Sequence, residues 1–264
     1  MSDERPIGVF DSGVGGLTVF REVMRRVPNE KLIYFGDTAR LPYGTKSRDT
    51  VLGFARQIVR FLKTHDVKAI VVACNTATSA AVTEMRRRYD LPIIGMEPAA
   101  KKALDMDGEH RVLVVATPVT VKGNKMKVLI EHVDKQHLVD LHPLPRLVEY
   151  AEQQEFNSQA VLDYLGRELS PYDFSEYSSL VLGCTHFNYF KDTFRELLPE
   201  HVSLVDGNAG TVRELIRRLK ERNLLEKQTP SIEYYYSGRR VQDKEELHRL
   251  ESYLQRLGCM HALT

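Results

Sequence analysis

The chain of 264 residues is 42% hydrophobic and 28% charged, and 37 Lys+Arg nearly balance 36 Asp+Glu for a formal net charge of +1. That is the composition of a folded protein with one large or two modest domains, which excludes fibres, disordered tails and disulfide-stapled miniproteins. The longest apolar run, Ala69 to Cys74, is far shorter than the roughly 20 residues of a membrane-spanning helix, and a balanced charge argues against a nucleic-acid partner. In chain order, Ile7-Gly8-Val9-Phe10 reads as a strand, the glycines at 13, 15 and 16 as a turn, and Leu17, Phe20, Met24 and Val27 as a helix face that stops at Pro28. Leu32 to Phe35 is a second strand, Val51 to Leu62 a second amphipathic helix, Ala69 to Ala73 a third strand and Thr78 to Arg88 a third helix. Pro92 restricts the short strand Leu91 to Gly95 to a strand start or a sheet edge.

A second series opens at Val112 to Ala116, crosses helical and irregular segments, and returns at Leu180-Val181-Leu182. Val202 to Val205 follows as a strand, then a helix from Thr211 to Leu219, a strand at Tyr234-Tyr235-Tyr236 and a helix carrying Leu247, Leu250, Leu254 and Leu257. Alternating strands and helices predict parallel α/β sheets. The two series also rhyme: VVACNTATSA and LVLGCTHFNY each place an apolar strand before a cysteine and a polar turn. Two related lobes are therefore expected, one from 1–97 with 207–264, the other from 98–206. The opening MSDERPIGVF has no basic flank followed by a long apolar stretch, and three cysteines without a CxxC pair fit a reducing compartment, so a cytoplasmic location is expected.

Ligands of open parallel sheets bind beyond the carboxyl ends of the strands, which is where Cys74 and Cys184 fall. At a helix start the backbone dipoles would favour a thiolate and lower the thiol pKa. Cys259, in LGCMHAL, has no acid or base pattern around it and reads as incidental. The turn DSGVGGLTV lacks the Lys-Ser/Thr ending of a phosphate loop and does not complete GxGxxG. Asp11 beside Ser12 could hold an ammonium, orient a proton-transfer group or cap the helix near Gly16; Asp37 could be catalytic or a turn former. A lone CxH at Cys184 and His186 is no zinc signature, there is no GxSxG elbow, and the two best sites carry thiols rather than a Schiff-base lysine. No metal and no cofactor are expected. Two thiols facing one cleft could take a proton from one side of a carbon and return one to the other, which is the chemistry of a racemase or epimerase. Backbone N–H groups and the hydroxyl and amide side chains of Ser12, Asn75, Thr76 and Thr185 would stabilise the carbanion.

The blocks GVFDSGVGGLTV, YFGDTARLPYG, VVACNTATSA and LVLGCTHF, spread from residue 8 to residue 187, together resemble the cofactor-independent aspartate/glutamate racemase family, and its glutamate racemases in particular. The resemblance implies two flavodoxin-like lobes facing a shared cleft, interconversion of L- and D-glutamate, and supply of D-glutamate for peptidoglycan. By position, Cys74 and Cys184 are the acid/base thiols. Asp11 with Ser12, Tyr43 with Gly44, Asn75 with Thr76, and Thr185 with His186 are the substrate-binding pairs. Asp37 and His186 assist proton transfer, and Glu149 is the carboxylate expected to partner His186. The segment His142 to Glu149 and the path IIGMEPAAKKA each run one residue shorter than the family pattern. With no N-terminal extension, activation by a cell-wall nucleotide precursor is not expected. Glutamate is the expected small-molecule partner and a homodimer the expected assembly. A racemase acting on aspartate and a side role in restraining DNA gyrase are the alternatives.

Overall fold

The computed structural model describes residues 3–96, 99–107, 109–225, 229–261 and 263; the lobe boundary expected at 97–98 lies outside them. Two sheets carry the architecture. The first has six strands in the order β10-β9-β2-β1-β3-β4, built from β1 (Ile7–Asp11), β2 (Lys31–Gly36), β3 (Ala69–Val72), β4 (Ile93–Gly95), β9 (Ser231–Tyr236) and β10 (Arg239–Arg240). The second has four in the order β6-β5-β7-β8, from β5 (Arg111–Ala116), β6 (Val139–Pro143), β7 (Tyr177–Leu182) and β8 (Ser203–Val205). The run β2-β1-β3-β4 and the run β6-β5-β7-β8 follow the same order, so the rhyme in the sequence is a duplicated topology. All pairings are parallel except β10 with β9, a two-residue edge that the parallel expectation did not contain.

Helices cover both faces of the first sheet. On one side α1 (Leu17–Arg26) turns Leu17, Val19, Phe20 and Val23 inward, and it packs against α10 (Asn208–Glu221) and α11 (Lys244–Met260). Each such side chain contributes about 1.5–3 kcal/mol of burial, and Phe20 meets Tyr34 edge to face at 5.3 Å. On the other side lie α2 (Arg48–Thr64) and α3 (Asn75–Arg88). Ser47 starts α2 by accepting the Thr50 N–H at 3.2 Å, as an N-cap serine should. β4 occupies the outer edge immediately after Pro92, where the missing N–H costs no ladder bond.

The chain between the sheets forms α4 (Ala99–Met106), then α5 (Pro118–Lys122), α6 (Asn124–Val133), α7 (Arg146–Glu152), α8 (Gln159–Leu169) and α9 (Lys191–Leu197) about the second sheet. The core is continuous across the lobes on the α1 side: Val9 and Val71 of the first sheet belong to one buried cluster with Leu113 and Leu180 of the second and with Phe187 beyond it. The tail returns to the first lobe, with β9 parallel to β2 through Ser231 to Tyr236.

Candidate active site

Parallel register delivers the site residues in one plane. Asp11 pairs with Gly36 and Phe10 with Val72, so Asp11, Ser12, Asp37 and Cys74 leave the carboxyl edge of the first sheet together. Val115 pairs with Leu182 and Ala116 with Pro143, which delivers Thr117 and Cys184 in the same way. Cys74 and Cys184 thus end equivalent strands, β3 and β7, and both are buried at 5% and 6% exposure.

Cys74 stands at the N-cap of α3, where its Sγ accepts the Ala77 N–H at 3.5 Å and lies 4.0 Å from Ser12 Oγ. The expected lowering of its pKa is reversed. Burial pushes the thiol well up, and the nearby Asp11 carboxylate adds to the rise, while the Ala77 N–H only partly opposes them. Cys184 contributes to the same rise as its last and smallest cause. Cys184 itself precedes a 3-10 turn, Thr185–Phe190, and not the start of an α-helix; its Sγ lies 3.8 Å from His186 Nδ1.

Asp11 divides its two oxygens. Oδ2 accepts the Gly16 N–H at 2.8 Å and the Gly13 N–H at 3.4 Å, which ties down the start of α1. Oδ1 is buried, and no nitrogen or hydroxyl donor reaches it among the described residues. Capping and ligand holding were alternatives in the sequence; the geometry leaves one oxygen for each. Asp37 is fully buried and committed elsewhere: Tyr43 donates its phenol to it, Arg40 pairs with it at 2.7 Å, and Ser237 Oγ donates at 3.0 Å. These bonds fix the Tyr43-Gly44 turn. Gly44 presses on the second lobe so closely that a Cβ there would lie 2.7 Å from Thr117 Cβ.

The carboxylate that meets His186 is Glu152, not Glu149. Glu149 lies on the exposed side of α7, whereas Glu152 Oε1 sits 2.8 Å from His186 Nε2 and accepts the Val14 N–H, also at 2.8 Å. Burial opposes charge on His186, but the contact with Cys184, the Glu152 bond and the Asp11 carboxylate at 4.0 Å outweigh it and raise the imidazole pKa well above its ordinary value. Glu152 stands one turn after Val148, which is buried, and that i,i+4 relation was the sequence signal that it faces inward. Thr117 and Thr120 were also missed. Their hydroxyls lie 3.0 and 3.4 Å from Thr76 Oγ1, bridging the lobes beside Cys74. Since β5 repeats β1, Thr117 occupies the place of Ser12's turn, and the internal repeat could have pointed to it.

Asn75 starts α3 half-buried, and Thr185 is buried directly after Cys184. Among the described residues no group of three or more His, Cys, Asp or Glu is arranged to hold a metal. What the site offers is two thiols, a buried carboxylate with one open oxygen, a histidine with a raised pKa, and a ring of hydroxyl and amide groups.

Residues 7–215 match the protein family described as Asp/Glu/Hydantoin racemase. The chain belongs to that family. The glutamate racemase of Campylobacter curvus (strain 525.92) is 52% identical to it over 260 residues, covering 96% of this chain and 98% of the relative. Among solved structures, glutamate racemase isoform RacE1 from Bacillus anthracis superposes with a TM-score of 0.84 at 30% identity, covering 96% of this chain and 95% of that one. The glutamate racemase from Francisella tularensis subsp. tularensis SCHU S4, in complex with D-glutamate, gives 0.83 at 33% identity, covering 96% and 94%. The racemase family thus accounts for the two-lobe fold.

Proposed function

We propose that the chain is a cofactor-independent isomerase that interconverts L-glutamate and D-glutamate, supplying the D-enantiomer for peptidoglycan. The observation that carries this is the placement of Cys74 and Cys184 at the ends of equivalent strands in two lobes that close on each other. The first lobe comprises 1–97 with 207–264, the second 98–206, and substrate lies between them. In the L-to-D direction, a Cys184 thiolate takes the Cα proton, the electron pair delocalises into the substrate carboxylate, and the Cys74 thiol delivers a proton to the opposite face. The product leaves Cys184 as thiol and Cys74 as thiolate, the starting state for the reverse reaction.

The raised pKa of Cys74 fits its role as the acid in that direction. An ammonium group bound at Asp11 Oδ1 would cancel the negative charge that helps push Cys74 up, so substrate itself eases formation of the Cys74 thiolate when D-glutamate is bound. Ser12, Tyr43, Gly44, Asn75, Thr76, Thr185 and His186 surround the substrate, joined by Thr117 and Thr120. Glu152 takes the part first given to Glu149, holding His186 beside Cys184. Asp37 acts at one remove, through Tyr43 and Arg40.

Circular dichroism should follow racemisation of L-glutamate with no added cofactor, and kcat/KM for aspartate should be far lower, because a shorter side chain strands donors meant for the distal carboxylate. Comparable values for the two amino acids would favour the aspartate alternative. In deuterium oxide, product should gain deuterium while unreacted substrate keeps its hydrogen early on; equal labelling of both pools would remove the two-thiol mechanism. Cys74→Ser and Cys184→Ser should each cut racemisation by orders of magnitude. A homodimer in the cytoplasm completes the reading, and light scattering tests the dimer.

A further inference from the structure

Glu152 is the last residue of α7, and the final carbonyls of a helix have no partner within it. The following turn supplies N–H donors as far as Ala151 O, which accepts from Gln154 N at 3.1 Å, and for Glu152 O the donors come from α11, in the tail that returns to the first lobe. Tyr253 is fully buried; its phenol lies 2.9 Å from Ala151 O and 3.1 Å from Glu152 O, and donates to this carbonyl pair. Arg249, one turn earlier, donates Nη2 to Glu152 O and brings positive charge to the helix end that favours it. The same face of α11 holds the turn that bears His186. The Tyr253 ring packs on Tyr189 at 5.3 Å, and Arg256 Nη2 donates to Tyr189 O at 2.9 Å while pairing with Asp192 at 2.6 Å. Tyr189 in turn donates its phenol to Val14 O at 2.8 Å, next to the Val14 N–H that Glu152 accepts.

We infer that Tyr253 and Arg249 are positioning residues for the reaction: by capping the end of α7 they hold the Glu152 carboxylate against His186. The inference rests on the reading above, in which the His186–Glu152 pair serves Cys184. Helix ends fray when nothing satisfies their last carbonyls. A carboxylate on a frayed end would not keep two 2.8 Å bonds at once, and His186 would lose its carboxylate partner at Nε2.

The test uses Tyr253→Phe, Arg249→Met, Arg249→Lys and Glu152→Gln, each alone, and Tyr253→Phe combined with Glu152→Gln. Tyr253→Phe keeps the ring and removes one hydroxyl, so kcat should fall about tenfold with KM changed less than twofold, the pattern of a group that acts on the chemical step. The NMR titration midpoint of His186 should move down towards the ordinary imidazole value. Arg249→Lys should retain most activity and Arg249→Met should not. Arg249 is exposed, so this pair carries the test if Tyr253→Phe folds poorly. In the double variant, removing the phenol should cost nothing beyond the loss already caused by Glu152→Gln. Full activity and an unmoved His186 titration in Tyr253→Phe and Arg249→Met, with Glu152→Gln impaired, would overturn the positioning role alone. A fully active Glu152→Gln would overturn the reading beneath it.

Discussion

Replacing Gly13 by alanine is the smallest change that strikes the site from the backbone side. A Cβ at Gly13 would lie 1.9 Å from Glu152 Oε1 and 2.3 Å from Leu41 Cδ1. Ordinary contact needs about 3.5 Å, so the carboxylate oxygen must retreat by roughly 1.5 Å. That oxygen holds the Val14 N–H and His186 Nε2, both at 2.8 Å, and a displacement of that size breaks at least one of them. A hydrogen bond to a charged group is worth about 1.5–3 kcal/mol, and an ångström of misplacement in an active site can cost on the order of a hundredfold in rate. We expect kcat/KM of Gly13→Ala to fall about a hundredfold, while stability falls by only about 1–3 kcal/mol because the displaced atom ends a flexible side chain. Racemisation followed by circular dichroism, with urea denaturation alongside, measures both. Gly53→Ala and Gly166→Ala are the controls, since a Cβ at either helical position meets nothing within 4 Å; each should keep activity and gain about 0.5–1 kcal/mol. If Gly13→Ala keeps activity within threefold of the parent, Glu152 does not act on the chemistry as described.

His186 and Cys74 both bind their proton more tightly in the folded chain than their ordinary values of 6.5 and 9.0. Since the folded state then holds more protons than the unfolded one, stability should fall as pH rises, first above 6.5 through His186 and again above 9.0 through the thiol; Glu152→Gln should flatten the first step, and a melting temperature constant from pH 6 to pH 10 would contradict this. Iodoacetamide at neutral pH should modify exposed Cys259 well before buried Cys74, whose rate should climb only in alkali; mass spectrometry of the peptides reads the order, and early loss of Cys74 would count against its raised pKa. Lys68 and Glu30 pair at 2.6 Å, both buried, with Lys68 Nζ also on Asp3 O at 3.0 Å. Lys68→Met strips the buried carboxylate of this cation and should cost about 3–5 kcal/mol in urea denaturation, with kcat unchanged because the pair lies at the amino edge of the first sheet, away from the thiols.

Most strands of both lobes could be read from the chain because each is a short apolar run between turn residues, and the thiols because each follows such a run. β6 escaped notice for the opposite reason. Its VDLHP is only half-buried, so no apolar run marks it. The choice of Glu149 over Glu152 was an error of one helical turn on α7: both acids are plausible by distance along the chain, and only the inward pattern of Leu147, Val148 and Ala151 separates them. The Cys74 pKa was misjudged because dipoles at a helix start are local and readable, whereas the Asp11 charge reaches it across the sheet, and burial depends on the closed lobes. Asp37 is a related case. The sequence shows an acid after a strand, but its partners Tyr43, Arg40 and Ser237 are gathered from three places by the fold.

The return of the tail to the first sheet also dictates when the molecule can be finished. During synthesis the amino-terminal elements emerge first, so β1 to β4 and all of the second lobe leave the ribosome before β9 and α11 exist. Until then the β2 edge has no parallel neighbour, and the carbonyls that end α7 have no donors from Tyr253 or Arg249. The two thiols, the aspartate and the histidine are all translated by residue 186. A nascent chain can therefore hold every reacting group and still lack the brace that brings Glu152 to His186, so competence waits for α11.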